Sequence, residues 1–304
     1  MKQTRSKNRP ELLQQAEKKL ISSIDSKIKS SFITINRYRI HYVSLGKGKP
    51  VLMLHGATLG WGQWYTNLKS LAKKYHVIAI DLPGAGSSSR VRFDTKTLDE
   101  IFTDMVAQFI DRMKIKKLSI VGHSFGGWTA MRLVAKYPDK IEKVILINPV
   151  GMNRKIPPHF RLLSIPYVAS ILNALILGKS REKTDLFLKS VITDPITKLD
   201  QNFIDHFHHA RLIQNTQSPF HLTASAIEKG KLRKEYDVLS VLRKITIPTL
   251  IIWGIKDTTM YYPQKIEKIR NKYIHIHKYH STGHIPFIEK AHHFNNLLLT
   301  FLKE

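Results

Sequence analysis

The chain reads as an α/β protein: a doubly wound, mostly parallel sheet that carries an inserted helical cap. Three observations predict it. Short β-rich apolar runs alternate with stretches of helical periodicity. One glycine-flanked serine, in Gly122-His-Ser124-Phe-Gly126, falls where such a run meets a helix. The alternation stops between Gly151 and about Glu235, where the pattern is helical, broken by Pro157, Pro158, Pro166, Pro195 and Pro219.

The elements follow in order. Residues 11–29 place Leu12, Leu13, Ala16, Leu20, Ile21, Ile24 and Ile28 at three- and four-residue spacing, with Lys18, Lys19, Asp25, Lys27 and Lys29 between them. That spacing predicts an amphipathic helix. Residues 1–30 thus form a basic N-terminal extension with two readings: a helix lying on an anionic membrane surface, or a helix packed on the domain. The basic start (Lys2, Arg5, Lys7, Arg9) precedes no apolar run of the kind a secretory signal needs. Phe32–Ile35 and Tyr38–Val43 read as a hairpin around Asn36-Arg37, followed by the turn Gly46-Lys-Gly-Lys-Pro50. Val51–Leu54, Val77–Ile80, Leu118–Val121, Val144–Ile147 and Leu250–Trp253 suit strands buried on both faces of a parallel sheet. Ile274–Tyr279 alternates and suits a more exposed final strand, with a closing helix near Ala291–Leu302. Helical patterns at Leu98–Met113 and Trp128–Tyr137 supply crossovers between strands. The core is therefore assigned to residues 31–150 and 236–304. The cap is assigned to 151–235, over the carboxyl edge of the sheet, where open α/β sheets bind ligands.

Composition excludes several classes. The 304 residues include 49 Lys+Arg, 23 Asp+Glu and no cysteine, a net charge of +26. Without cysteine there is no disulfide, thiolate metal site or cysteine nucleophile. A composition of 42% hydrophobic residues is globular. The most apolar stretch, Ile165–Leu177, is 13 residues long, short of the ~17–25 that span a bilayer. The charge suggests nucleic acid, an anionic membrane or a generally basic surface. Its dispersal, with no nucleic-acid-binding signature, speaks against the first. The groups His206-Phe-His208-His209, His275-Ile-His277 and His292-His293 lack an accompanying carboxylate or cysteine at ligand spacing. Neither a metal nor a cofactor is expected.

The chemistry centres on Ser124. A serine on a tight strand-to-helix turn is held in a strained backbone conformation, and Gly122 and Gly126 are needed because side chains there would collide. The helix N-terminus places partial positive charge beside a developing oxyanion. The hydroxyl needs a base. Of fifteen histidines, His284 follows the last strand on a loop able to reach the sheet edge. A histidine base needs a carboxylate, and Asp257 follows the strand Leu250–Trp253. The rival loop, after Val144–Ile147, carries Asn148-Pro149 instead. The Phe125 and Ala57 N–H groups are the candidate oxyanion donors, the second on His55-Gly56-Ala57-Thr58, a loop that His55 is expected to order by hydrogen bonding.

Together, His55-Gly56, Asp81-Leu-Pro-Gly-Ala-Gly-Ser87, Gly-His-Ser124-Phe-Gly-Gly, Trp253-Gly-Ile-Lys-Asp257 and Gly283-His284 resemble the α/β-hydrolase superfamily across about residues 32–304. The order Ser124, Asp257, His284 is that family's order. The resemblance implies a catalytic triad and oxyanion hole, a structural role for Asp81, and the branch holding carboxylesterases, monoacylglycerol lipases and carbon–carbon bond hydrolases. Ser124 stands where epoxide hydrolases and haloalkane dehalogenases carry aspartate. The expected activity is that of a cofactor-independent serine hydrolase on a lipophilic carboxylic ester. The alternatives are carbon–carbon bond hydrolysis of a diketone-type substrate and a non-catalytic hydrolase-fold binding protein. The aliphatic stretch Phe160–Leu177 is read as an apolar acyl-binding lid. The expected partners are a small apolar ester and, through residues 1–30, an anionic membrane surface, without nucleic acid. The expected location is cytoplasmic, with peripheral membrane association if residues 1–30 bind lipid.

Overall fold

The first two strands, β1 (Lys29–Ile35) and β2 (Tyr38–Leu45), form an antiparallel hairpin. Asn36 closes it at φ 53°, a left-handed conformation that asparagine tolerates. The structure is a computed structural model and describes residues 8–57, 59–91, 98–165, 167–177, 179–214 and 219–304. Lys2, Arg5, Lys7, Thr58 and Pro166 lie outside the described residues.

Six further strands complete the sheet: β3 (Pro50–Leu54), β4 (His76–Ile80), β5 (Leu118–His123), β6 (Ile141–Ile147), β9 (Thr249–Gly254) and β10 (Ile274–Tyr279). Their order is β1-β2-β4-β3-β5-β6-β9-β10, antiparallel at β1/β2 and β2/β4 and parallel elsewhere. The apolar runs in the middle strands serve two cores, because successive side chains leave opposite faces. Leu52, Leu54, Val144, Leu146, Ile251 and Trp253 enter one core, and Val51, Met53, Ile145, Ile147, Leu250 and Ile252 enter the other. The final strand is half-exposed, as its alternation predicts.

The crossovers are helical. The helix expected over Leu98–Met113 begins as a wide π-helical turn, Asp99–Asp104, before α2 (Met105–Arg112). Asp99 there accepts a hydrogen bond from Arg132 Nε at 2.8 Å, on α3 (Phe125–Lys136). Between β6 and β9 the chain forms Pro158–Arg161, α4 (Val168–Leu172), a π-helical turn Asn173–Leu177, α5 (Arg181–Ser190), α6 (Gln201–Gln214) and α7 (Pro219–Ser225). A small hairpin follows, β7 (Ile227–Glu228) with β8 (Lys231–Leu232), turning through Lys229 and Gly230 at positive φ. Strands of two residues are too short to show alternation, and none was expected here. The last helix is α8 (Ala291–Lys303).

The N-terminal helix α1 (Arg9–Ile24) departs from the expected 11–29. Pro10 suits its first turn. Asp25 ends it in extended conformation and accepts the Lys27 N–H at 2.9 Å, and Lys29 already belongs to β1. Its apolar face, Leu13, Ala16, Leu20 and Ile24, is buried, and the helix packs against α6. Of the two readings of residues 1–30, the described part follows the packed helix: its apolar face is covered by protein. Among the described residues no helix is long and apolar enough to cross a membrane.

A buried charge cluster fastens α1. Ser30 donates to Glu17 Oε1 at 2.6 Å, His41 Nε2 lies 3.3 Å from the same oxygen, and His41 Nδ1 donates to Asp81 Oδ2 at 2.7 Å. His206 on α6 brings Nε2 within 3.8 Å of Glu17 Oε2. Burial alone would neutralise His41, but its hydrogen bonds to Asp81 and Glu17 overturn that and hold its pKa up at about 10. Burial would likewise raise Glu17, yet His206 and His41 outweigh it and hold the carboxylate well below its usual range.

Glu17→Gln should therefore destabilise the protein by roughly 1–3 kcal/mol, measured by urea unfolding. The deficit is full between about pH 4.5 and 6.5, where glutamate is ionised and histidine protonated even in their unfolded reference states. It shrinks as pH rises towards about 10, where folded His41 gives up its proton, and again as acid protonates the unfolded chain's glutamate. A deficit that stays constant as the pH rises from about 6.5 to about 10 would contradict the ion pair.

Candidate active site

β5 delivers Gly122 and His123 to a turn, and α3 begins at Phe125. Ser124, between them, sits at φ 52° and ψ −114°, a conformation that costs of order 1–3 kcal/mol and persists only where the surroundings over-determine it. They do so here. Its N–H donates to the Ile147 carbonyl at 2.8 Å, and its carbonyl accepts from Gly127, Trp128 and Val150 at 3.0–3.1 Å. A Cβ on Gly122 would lie 2.4 Å from the Gly126 carbonyl oxygen, and one on Gly126 would lie 2.4 Å from that of Leu54. The chain crosses itself there too closely for any side chain.

His284 follows β10 and meets Asp257, which follows β9: His284 Nδ1 donates to Asp257 Oδ2 at 2.7 Å. The opposite carboxylate oxygen takes the Thr259 N–H at 2.7 Å, the Thr259 hydroxyl at 2.6 Å and the Met260 N–H at 3.1 Å. Burial would raise the pKa of Asp257, but the charge of His284, its hydrogen bond and those of Thr259 hold it below the ordinary carboxylate value. The group is an anion aimed at one imidazole nitrogen, which leaves the other free to face the cavity.

Two residues of this site carried no role in the sequence reading. Asn148, buried and at φ 41°, donates through Nδ2 to Asp257 Oδ2 at 2.6 Å and accepts the Gly254 N–H through Oδ1 at 3.2 Å. The loop set aside for lacking a carboxylate thus supplies the amide that locates one. A non-glycine residue after a strand end is no signal for this, since the positive φ is visible only in the fold. His123 is the second. Burial, together with the charge of His284, pushes its pKa well down, so it stays neutral, and its Nε2 lies 3.0 Å from the His284 carbonyl oxygen. On the far side of the same loop, Gly283 donates to Glu289 Oε1 at 2.9 Å, while Glu289 Oε2 accepts the Thr193 and Asp194 N–H groups.

Phe125 opens α3, so its N–H is among the first four of the helix, which have no intrahelical carbonyl to bond. Ala57 follows β3 on the neighbouring loop, where His55 Nε2 accepts the Leu82 N–H at 2.8 Å and Nδ1 faces the Gly56 carbonyl. Asp81 is fully buried. Beyond His41 it accepts the Trp61 N–H at 2.7 Å and the Ser87 N–H at 2.9 Å, so it organises the turn after β4 and stands apart from Asp257.

Ala57, Ser124, Phe125 and His284 border one cavity of about 170 Å³. Ile156, Phe160, Phe187, Ile227 and Leu232, all from the segment between β6 and β9, form its far wall. Among the described residues no Lys, Arg, Asp or Glu lines it. The histidine groups noted in the sequence lie elsewhere: His206 against Glu17, His208 Nδ1 at 2.9 Å from the Thr184 hydroxyl, and His277 stacked on His293. Among the described residues no group of three or more His, Asp or Glu side chains is placed to hold a metal ion.

Comparison with known proteins agrees with this architecture. A family model described as alpha/beta hydrolase fold matches residues 49–291. A 2-hydroxy-6-oxononadienedioate/2-hydroxy-6-oxononatrienedioate hydrolase of Comamonas testosteroni is 27% identical over 299 residues, covering 93% of this chain and 99% of its own. The crystal structure of a Bacillus subtilis carboxylesterase superposes with TM-score 0.74 at 17% identity, over 95% of this chain and 96% of that one. That of a membrane phospholipase A, described as a bacterial virulence factor, does so with TM-score 0.73 at 22% identity, over 97% and 91%.

A fluorophosphonate probe should label the protein once, at Ser124, by mass spectrometry of the digest. Asn148→Ala should slow labelling by roughly tenfold to a hundredfold, since misplacing a supporting group by about 1 Å costs up to about that much. Labelling at wild-type rate would mean that Asn148 does not position the acid.

Proposed function

The chain belongs to the α/β-hydrolase-fold family, and on that premise we propose that it is a serine hydrolase cleaving a lipophilic carboxylic ester through an acyl-enzyme on Ser124. In this reading His284 takes the Ser124 proton as the hydroxyl attacks the ester carbonyl. Asp257 holds the imidazole in its tautomer and stabilises the imidazolium. The Phe125 and Ala57 N–H groups receive the tetrahedral oxyanion at the positive end of α3. Protonated His284 then passes its proton to the leaving alkoxide. Water attacks the acyl-enzyme by the same route, and the acid departs. Residues 151–235 act as the cap that closes the site over a core of 31–150 and 236–304.

The observation that carries the ester reading is the cavity lining. It joins the nucleophile and base to an apolar wall, which suits an acyl chain and excludes water from the oxyanion. The relatives support a second reading, hydrolysis of a carbon–carbon bond in a diketone-type substrate. The name of the Comamonas enzyme denotes a substrate with two carboxylates. A carboxylate buried without a cation is costly, and the cavity here offers neither Lys nor Arg among the described residues. That favours the uncharged ester.

kcat/KM should rise from acetyl to octanoyl p-nitrophenyl esters, and Ser124→Ala should remove several orders of magnitude of turnover. A panel adding monoacylglycerols and a diketone analogue separates the two readings. Fast diketone cleavage with poor ester turnover would overturn the ester assignment, and a flat acyl-chain profile would count against the apolar wall as its acyl site.

A further inference from the structure

The described residues expose eleven large hydrophobic side chains, and six of them, Leu162, Ile165, Tyr167, Ile171, Leu175 and Ile176, fall within residues 162–176. Tyr167 is 82% exposed and Leu175 63%. Ile171 stands on α4 and Leu175 on the π turn that continues it, while Tyr167 directly precedes α4. The short helices that carry these residues pack on one another, and α5 packs on the π turn and adds exposed Leu186. A contiguous apolar face of this kind marks an interaction surface.

The charges around it say what kind. From residue 151 to 190, which takes in α5, the chain carries seven Lys and Arg against Glu182 and Asp185, within a protein of net charge +26; Arg181 is paired with Asp205, and Lys189 with Asp185. Lys155 and Lys179 are exposed. Two copies of this face meeting about a two-fold axis would set a surplus of like charges against one another, with only Glu182 and Asp185 in the segment to relieve them. An anionic bilayer neutralises them and receives the apolar side chains at once.

We propose that this outer face of the cap docks on an anionic phospholipid surface. Leu162, Tyr167, Ile171 and Leu175 enter the boundary between headgroups and acyl chains, and the flanking cations rest on lipid phosphates. The same segments face inward to the cavity: Phe160 lines it two residues before exposed Leu162, and Phe187 lines it next to exposed Leu186. The segments that expose these side chains therefore also wall the cavity that Ser124 borders. Docking stands on the exposed face and its charge alone. Delivery of a lipid ester from the bilayer to Ser124 rests on the proposed esterase activity.

Flotation of the full-length protein with vesicles tests this. Wild type should float with equal parts phosphatidylcholine and phosphatidylglycerol, less with phosphatidylcholine alone, and less as salt rises. Ile171→Asp with Leu175→Asp should lower partitioning at least about tenfold, with thermal unfolding and acetyl-ester turnover kept, because neither residue lines the cavity. Should that variant misfold, Lys155→Glu with Lys179→Glu carries the same test, with a loss of about tenfold or more. Ser124→Ala should float like wild type, which separates docking from chemistry. The proposal is overturned if wild type stays off anionic vesicles. It is equally overturned if the substituted proteins bind unchanged, or if light scattering shows a dimer that the aspartate variant dissolves.

Discussion

Everything at the site depends on the backbone of Ser124 being held where it would not rest alone. Four backbone hydrogen bonds pin its N–H and carbonyl, to Ile147, Gly127, Trp128 and Val150. They come from β6, from the first turn of α3 and from the loop that leaves β6, so the turn is the point where three elements are tied. The sheet order makes this possible. β5 lies between β3 and β6, so the turn emerges flanked by the β3 loop with Ala57 on one side and the β6 loop with Asn148 on the other. A strand at the edge would have had one such neighbour. The glycines at 122 and 126 are a consequence of that crowding, and the strain is supported by a parallel core buried on both faces.

The acid arm is built by the same economy of strand ends. β6 and β9 are neighbours, and the residues just beyond them, Asn148 and Asp257, meet through a 2.6 Å hydrogen bond. Asn148 has one amide to spend on two partners, the Gly254 N–H and the Asp257 carboxylate. It therefore sets the height of the acid relative to the last residue of β9. His284 approaches the same oxygen from the β10 loop, which is held from both sides: His123 reaches its carbonyl and Glu289 its preceding N–H. Glu289 also binds the Thr193 and Asp194 N–H groups of the segment between α5 and α6. The His284 loop is thus fastened both to the sheet, through His123, and to the segment between β6 and β9, so a displacement of that segment would be felt at His284.

What the sequence reveals follows from what periodicity and local motifs can encode. The strands were legible because buried parallel strands read as unbroken β-branched runs, and the serine turn because glycine at both flanking positions is a local steric demand. The alternation that stops after β6 showed where helices are inserted. Long-range partners were not legible. The apolar stripe of α1 says that one face seeks cover, and lipid and protein satisfy that demand equally in sequence. Only the fold shows α6 across from it and Glu17 between His41 and His206. Asn148 was read as the absence of a carboxylate, since nothing local to Ile147-Asn148-Pro149 records that β9 ends alongside. The β7–β8 hairpin was missed because its strands are shorter than one period of alternation needs.

Charge is partitioned in a way that ties these features together. Net +26 is carried on the surface, whereas the few buried charges among the described residues are each paired or hydrogen-bonded: Glu17, His41 and Asp81 beneath α1, Asp257 with His284 at the site, Glu289 on three backbone N–H groups, and Lys143 on the Phe301 and Leu302 carbonyls. The cavity has no Lys, Arg, Asp or Glu in its wall among the described residues. Inside a largely apolar enclosure each fixed dipole acts with little screening, so the polar groups that line it, among them the Ser124 turn and His284, dominate its field. The buried charges need tight pairing for the same reason, because an unpaired charge at any of these places would have no solvent to turn to. The exterior is under no such constraint. Its surplus of cations is dispersed where water screens it, and only from residue 151 to 181, beside the exposed aliphatic side chains, do acidic residues drop out for so long a stretch of the segment between β6 and β9.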